Sequence, residues 1–387
     1  MDIFLLDGLL RNEVVYDSYE SFVWTERYNS WGDFKLVVKS TRENRDLFQR
    51  GRNLAIQKSY RVMTVETILD KTSDEGVAVL EITGRSLESI LDDRVAASSL
   101  TALASKSTWD ITGQPAAVMR AIFNTICVNG ALNANDTIPF YQAGGYLPPG
   151  NIPEPPDTYS FSLELASVYE SLKLIGEMYT LGFRIVRNPN NYKLYFDVYT
   201  GFDRTSVQTI NPPVIFSKEL DNLTDTSELS SSAALKNVAY VFAPNGAAVV
   251  YPESTEATSG FERRVLFVKA DDINLTAGAA LNAALEQRGR QELSKHRVVV
   301  AFDGEIPQVG GYIYGLHYLL GDLVEQRNAD GLSTNMRVTE QIFISDNTGE
   351  RAYPTLAVDQ VVVPGSWKSW SSGVEWANAQ GTWAEAP

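Results

Sequence analysis

A mainly β fold interrupted by α/β segments is what this sequence of 387 residues predicts, and three observations carry that reading. Short runs rich in β-branched and aromatic residues recur at close spacing through the first 95 residues and return after residue 213. Between them, two stretches show apolar residues at helical rather than alternating period. A separate tail beginning at Pro364 is polar and rich in small residues, yet holds four of the seven tryptophans.

The elements follow in order. Ser21–Tyr28 is aromatic and β-branched, and Asp33–Lys39 places Phe34, Leu36 and Val38 on one face, with Gly32 as the turn between them. Leu54–Gln57, Val62–Ile68 and Val77–Ile82 continue the strand pattern, and Ser73-Asp-Glu-Gly76 reads as a hairpin turn. Many short strands at this spacing suit a sandwich or a small barrel. Ser86–Asp92 predicts a short helix that closes this first domain, residues 1–95. Gln114-Pro115 then opens a helix, with proline at its first position and Val118, Met119, Ile122, Phe123 and Ile126 on its apolar stripe. Asn129-Gly130 ends it. A loop follows in which six of the chain's 16 prolines lie between Pro139 and Pro156. A second helix carries Leu165, Val168, Tyr169, Leu172 and Tyr179. Phe183–Val186 and Tyr192–Tyr199 flank Asn188-Pro-Asn-Asn191 as a hairpin, so residues 96–212 form an α/β domain.

Strands return at Val214 and Val238–Phe242, and Ala243–Gly260 reads as a loop. One helix is expected over Ala277–His296 around Leu281, Leu285 and Leu293. Val298–Phe302, Leu323–Arg327, Met336–Ser345 and Arg351–Val358 complete a domain of residues 213–363, with the loop and helix of 243–296 inserted in it. In the tail, Trp376-Ala-Asn-Ala and Trp383-Ala-Glu-Ala repeat at a period of seven, too few copies to define a repeat fold.

Composition narrows the chemistry. The single cysteine, Cys127, excludes an internal disulfide framework and an all-cysteine metal site. The two histidines, His296 and His317, show no HExxH spacing, so neither histidine catalysis nor a cofactor has a visible seat. A net charge of −15 with no Lys/Arg run disfavours phosphate binding and anionic membranes, and no run of 18 apolar residues predicts stable membrane insertion. The N-terminus lacks the pattern of a secretory leader, which predicts synthesis in a cytoplasm.

Four constellations invite a chemical reading. Cys127 lies on the apolar stripe of a helix, where a thiol behaves as a small hydrophobe. His317 sits among apolar residues, as a satisfied or interface side chain. Gly310-Gly-Tyr-Ile-Tyr-Gly315 lacks the strand-before, helix-after context of a phosphate loop. The acidic pairs Asp74-Glu75, Asp92-Asp93 and Asp271-Asp272 are what 48 acidic residues supply on a solvated face by default; a calcium site at Asp271-Asp272 is the alternative reading, although the EF-hand pattern is absent. No catalytic, metal or cofactor residue is expected. The tail differs: Trp367, Trp370, Trp376 and Trp383 each offer roughly 150–250 Å² of surface that gains from burial. They are candidate partner-docking residues, against the parent body, another protein or a sugar.

Phe22-Val-Trp24-Thr-Glu-Arg27-Tyr28, followed by Gly32-Asp-Phe34-Lys-Leu, resembles the opening of minor tail proteins from long-tailed phages (siphoviruses) of actinobacteria. Gly51 before a strand, Val62–Leu69, and Gly84-Arg-Ser-Leu87 before Arg94 extend the likeness. Downstream, Asn222-Leu, Asn237-Val-Ala-Tyr-Val, Tyr314-Gly, Leu320-Gly-Asp322-Leu-Val and Arg337-Val-Thr-Glu340 resemble the closing half of the same family. The likeness spans roughly residues 1–363 and leaves the tail unaccounted for.

That resemblance implies a tail-tip hub similar to the baseplate hub of contractile phages. It further implies two related β-barrel domains per chain, at 1–95 and 213–363, in which the strands around Trp24–Val38 and Leu323–Ser345 are equivalent. The implied assembly is a homotrimer in the virion that joins the tail tube to the tip. Its neighbours would be the distal tail protein ring, the tape measure protein and other tail-tip or fibre proteins, with DNA passing through its channel unbound. The chain is then a structural protein and not an enzyme. A receptor- or cell-wall-glycan-binding minor tail protein is the alternative, and a cell-wall hydrolase is the third reading.

Overall fold

The computed structural model describes residues 1–358 apart from 73–77, 106–107, 145–157, 223, 252–258, 271–272, 274, 295, 297–298, 306–310 and 328–332. The Trp-bearing tail, the turn at Ser73–Gly76, Asp271-Asp272 and most of the proline-rich loop therefore lie outside the described residues. The chain forms two compact units, one of residues 1–230 with 299–359 and a second that includes residues 231–298.

The first unit begins with β1 (Ile3–Leu6), β2 (Asn12–Tyr16), β3 (Ser21–Arg27) and β4 (Asp33–Lys39), then α1 (Arg42–Leu47), β5 (Asn53–Ile56), β6 (Met63–Thr72) and β7 (Ala78–Ser86). Phe34, Leu36 and Val38 of β4 are buried, as their alternation predicts, and face Phe22 and Trp24 of β3 across one core. The expected closing helix is a 3₁₀ segment, Leu87–Asp93. β1 and β2, which the sequence reading did not delimit, pair with each other, and β1 also pairs with β5.

The α/β insertion holds α2 (Leu100–Ser105), β8 (Trp109–Gly113), α3 (Pro115–Phe123), β9 (Tyr159–Leu163), α4 (Val168–Tyr179), β10 (Gly182–Arg187) and β11 (Leu194–Tyr199). Pro115 starts α3, and its stripe runs on through a π-helical turn at Asn124–Val128 that buries Ile126 and Cys127. The second helix starts later than its pattern suggested. Ser167 and Glu170 form a capping box, and Leu165 stays outside the helix, 45% exposed. β8 and β9 form a ribbon that the sequence reading missed, because neither has an apolar run.

β12 (Ile215–Ser217) and β13 (Thr224–Ser231) follow. The chain then makes the second unit from β14 (Val238–Ala243), β15 (Gly246–Val250), β16 (Val265–Lys269) and α5 (Ala279–Ser294). Part of the expected loop at 243–260 is thus a strand, and β14–β15 is a tight hairpin with Ala243 opposite Gly246. The chain returns to the first unit as β17 (Val299–Glu305), β18 (Leu323–Arg327), β19 (Ser333–Asp346) and β20 (Gly349–Val358).

Both strand-rich ends of the sequence belong to one 13-stranded sheet, in the order β13-β17-β20-β19-β3-β4-β7-β6-β5-β1-β2, with β18 also on β19 and β12 on β18. The fold is therefore mainly β with helices. Two separate closed barrels are not what these pairings make: among the described residues the sheet ends at β13 and β2 without closing. The two halves are joined through β19, a strand of 14 residues. Its first part pairs with β18, its second part pairs antiparallel with β3 through Phe343 opposite Trp24, and β20 lines its other edge.

Candidate functional site

The place where chemistry concentrates is the joint between the two halves of the sheet and the insertion, all within the first unit. Trp24 is fully buried in β3, and its indole N–H donates to Glu26 Oε1 at 3.1 Å. Arg27, one residue on, bridges both halves: it pairs with Asp33 of β4 and with Glu340 of β19, the latter at 2.5 Å. Tyr28 ends the strand and reaches the insertion, donating to the Thr180 carbonyl at 2.8 Å and contacting the Tyr199 carbonyl at 3.1 Å. The Arg337 guanidinium of β19 lies 5.6 Å from the Tyr28 ring centre.

Gly321 and Asp322 lock the other side. Gly321 has φ +87°, and a Cβ there would sit 2.4 Å from the Tyr28 ring. Gly201 packs so tightly on it that a Cβ on Gly201 would lie 1.9 Å from the Gly321 carbonyl carbon. Asp322 is fully buried and accepts from Arg204 Nε at 2.6 Å, Phe202 N at 2.8 Å and Leu319 N at 2.9 Å. Burial pushes its carboxyl pKa up, and those donors oppose the shift. It thereby staples the exit of the insertion to the turn before β18.

A second buried pair ties the insertion to the first half. Arg61 (2% exposed) meets Glu88 (0%) at 3.1 Å, and Glu88 Oε1 also accepts from the backbone of Ile185 in β10 at 2.9 Å. Burial opposes the Arg61 charge most strongly, and Glu88 together with Tyr199, Glu26 and Tyr314 outweighs it, so the guanidinium is held protonated more firmly than usual. Arg184 donates to Asp197 Oδ2 at 2.7 Å and lies over the Tyr199 ring at 3.9 Å. Glu26, Arg61, Arg184, Tyr199 and Tyr314 line a cavity of about 340 Å³, together with apolar residues such as Val186, Leu319 and Leu320. The Tyr199 hydroxyl has no hydrogen-bond partner among the described residues, and burial pushes its pKa up.

This arrangement holds elements together. The buried Asp322, Asp197 and Glu88 are each engaged by an arginine, and each of these pairs is a contact between elements. Among the described residues no group of three or more His, Cys, Asp or Glu side chains could hold a metal.

The residues singled out from sequence fall elsewhere. Cys127 is fully buried, its thiol pushed up to about 12 by burial. His317 Nδ1 accepts from Ile313 N at 2.8 Å beside a turn that runs from Tyr314 to Tyr318, so Gly315 does not open a helix. Asp92 accepts from the Ser167 hydroxyl at 2.8 Å, at the start of α4. Trp367, Trp370, Trp376 and Trp383 lie outside the described residues. Sequence reasoning quoted Arg27, Tyr28, Gly321 and Asp322 within motifs but assigned them no task. It missed Arg61 and Glu88, which no local pattern marks.

Residues 2–356 match the sequence profile of a family described as Siphovirus ReqiPepy6 Gp37-like protein. Among solved structures, the chain is similar to the 43 kDa tail protein of prophage MuSo2 from Shewanella oneidensis, at 13% identity and a TM-score of 0.54, over 92% of this chain and 98% of that one. A tail protein from Neisseria meningitidis MC58 is similar at 13% identity and 0.54, over 94% and 98%. At such identity the likeness is one of fold. Among curated proteins none matches. The profile covers nearly the whole chain, and the chain belongs to that siphovirus family.

Proposed function

We propose that this member of the siphovirus Gp37-like family is a structural protein of the phage tail, and within the tail a trimeric hub at the tip. The observation that carries the reading is the set of contacts that locks the joint. Arg27, Tyr28, Gly321 and Asp322, all within the family-like motifs, hold two strand-rich halves and an insertion in one fixed relation. A rigid connector needs that.

The two halves are the related barrel-like elements of such a hub. Outward from the β19–β3 pair, the sheet reads as hairpin then a further antiparallel strand on each side: β20 and β17 one way, β4 and β7 the other. That local two-fold order supports a duplicated half, with β19–β20 rather than β18–β19 as the counterpart of β3–β4. Three copies would present six halves, matching a six-fold tube to a three-fold tip, and closure against neighbours would cover the open strand edges. The partners are then the distal tail protein ring, the tape measure protein and tip fibres. DNA would pass a lumen wall that expresses part of the −15 charge. The tail of residues 364–387 is an arm that docks on a neighbour.

Cryo-electron imaging of the virion, with this chain labelled, tests the reading. Three copies at the tail tip are expected. Six copies, or a label away from the tip, would refute it, as would a lumen lined by Lys and Arg. Binding of purified protein to cell-wall glycan, with the label on the tail but away from a three-copy hub, would establish the receptor-binding alternative instead.

A further inference from the structure

We infer that the open face of the three-stranded sheet in the second unit is the seat of the Trp-bearing segment, residues 364–387, of a neighbouring copy. This rests on the reading of that segment as a docking arm.

The second unit has a covered face and an open one. α5 lays Leu281, Leu285 and Leu293 on Val241, Val250 and Val268. The helix sits so close at Gly289 that a Cβ there would come 2.6 Å from Val250. Among the described residues the opposite face has no such cover. Register places Val249, Tyr240 and Phe267 in one row across β15, β14 and β16, and these are 50%, 41% and 66% exposed. The next row is Ala247, Phe242 and Lys269, and the Phe242 and Phe267 rings are 4.8 Å apart. A shallow groove of about 400 Å³ runs between these side chains. A sheet face normally gains from burial on one side and water on the other; this sheet is apolar on both. Its rim is basic, with the Arg263 guanidinium 5.7 Å from the Tyr240 ring centre and Lys269 exposed.

The occupant must supply large apolar rings with nearby acids. Residues 364–387 do so: Glu375 adjoins Trp376, and Glu385 follows Trp383 by two, with Lys368 the single base. Seven residues of extended chain between Trp376 and Trp383 span at most about 25 Å, enough to run the roughly 20 Å length of β14. Two seated indoles would remove about 300–500 Å² from water. An arm seated on the next copy is a head-to-tail contact, which closes into a ring when the rotation permits.

The test uses the full-length chain, read by sedimentation across a concentration series and by acrylamide quenching of tryptophan emission. Concentration-dependent association that shields tryptophan is expected. Phe267→Asp with Val249→Asp should abolish both, and Trp376→Ala with Trp383→Ala should abolish the association to the same extent. Combining the two pairs should add nothing. Phe267→Ser alone, at a largely exposed position, serves should the double variant lose its native circular dichroism. If the arm variant fails to associate while the face variant associates normally, the seat is wrong and the arm reading stands. If both associate normally, both are wrong. Shielding that does not depend on concentration places the arm on its own body and overturns the proposal. A chain that stays monomeric with quenchable tryptophans also overturns it, as does shielding that requires added cell-wall glycan.

Discussion

Replacing Glu88 by alanine is the sharpest probe of the joint. At 3.1 Å, the Arg61–Glu88 pair has a Coulomb attraction of about 5 kcal/mol at an effective dielectric near 20. Against it stands the cost of burying both ions, so the pair adds little net stability while intact. Alanine removes one partner only. Arg61, 2% exposed, keeps its charge without its paired carboxylate, and the Ile185 amide loses its acceptor. Breaking a buried pair in this way costs about 3–5 kcal/mol, and an orphaned amide about 1–3 kcal/mol, overlapping rather than additive. An expected loss of about 4 kcal/mol lowers the melting temperature by about 6–7 °C in a body of this size, at about 2.1 cal/mol/K of unfolding entropy per residue. Glu88→Gln keeps an acceptor for both donors and should lose about half as much. Urea and thermal unfolding followed by far-ultraviolet circular dichroism measure both. A Glu88→Ala loss under about 1 kcal/mol would refute the claim that Arg61 depends on it.

Other outcomes follow from the same structure. Gly321→Ala must take a left-handed φ and press a methyl into Tyr28; it should cost about 1–3 kcal/mol, whereas an equally stable variant would show that the turn relaxes freely. Cys127, buried and raised to about 12, should resist thiol reagents at pH 8 in the folded protein and react at once in denaturant. Glu81 is lowered to about 2 by hydrogen bonds from Lys35 and Lys71. Its contribution should be complete above the ordinary glutamate value of 4.5 and vanish as pH falls toward 2. The difference in urea midpoint between the native chain and Glu81→Gln should accordingly close over that interval; a gap that persists at pH 2 would contradict the assignment. Deleting Pro364–Pro387 should leave the melting temperature of the body unchanged while reducing incorporation into tails, and normal incorporation would remove the arm from assembly.

What the sequence by itself determined is the local structure. Alternation in Asp33–Lys39 specified a half-buried strand, because successive side chains point to opposite faces. Helical spacing from Val118 to Ile126, with proline at the start and Asn129-Gly130 at the end, specified α3 and its buried stripe. Asn188-Pro-Asn-Asn191 specified the β10–β11 turn. Strands that lack an apolar run or a turn dipeptide, such as Trp109–Gly113 and Tyr159–Leu163, left no local mark. Leu165 misled because an apolar residue before a capping box shares the helical phase without joining the helix.

Tertiary structure alone decided the joint. Phe343 and Trp24 are neighbours although some 320 positions separate them, and no local pattern encodes which strand edge a long β19 will meet. The partners of Arg61, Tyr28 and Asp322 lie on other elements, so their composition looks ordinary until the chain folds. The open face of the second unit was hidden for the opposite reason. Strands apolar on both sides read as core, and only the placement of α5 on one side exposes the other. A residue's neighbours along the chain dictate its conformation, but its function here depends on contacts whose closure is won collectively by the packed whole.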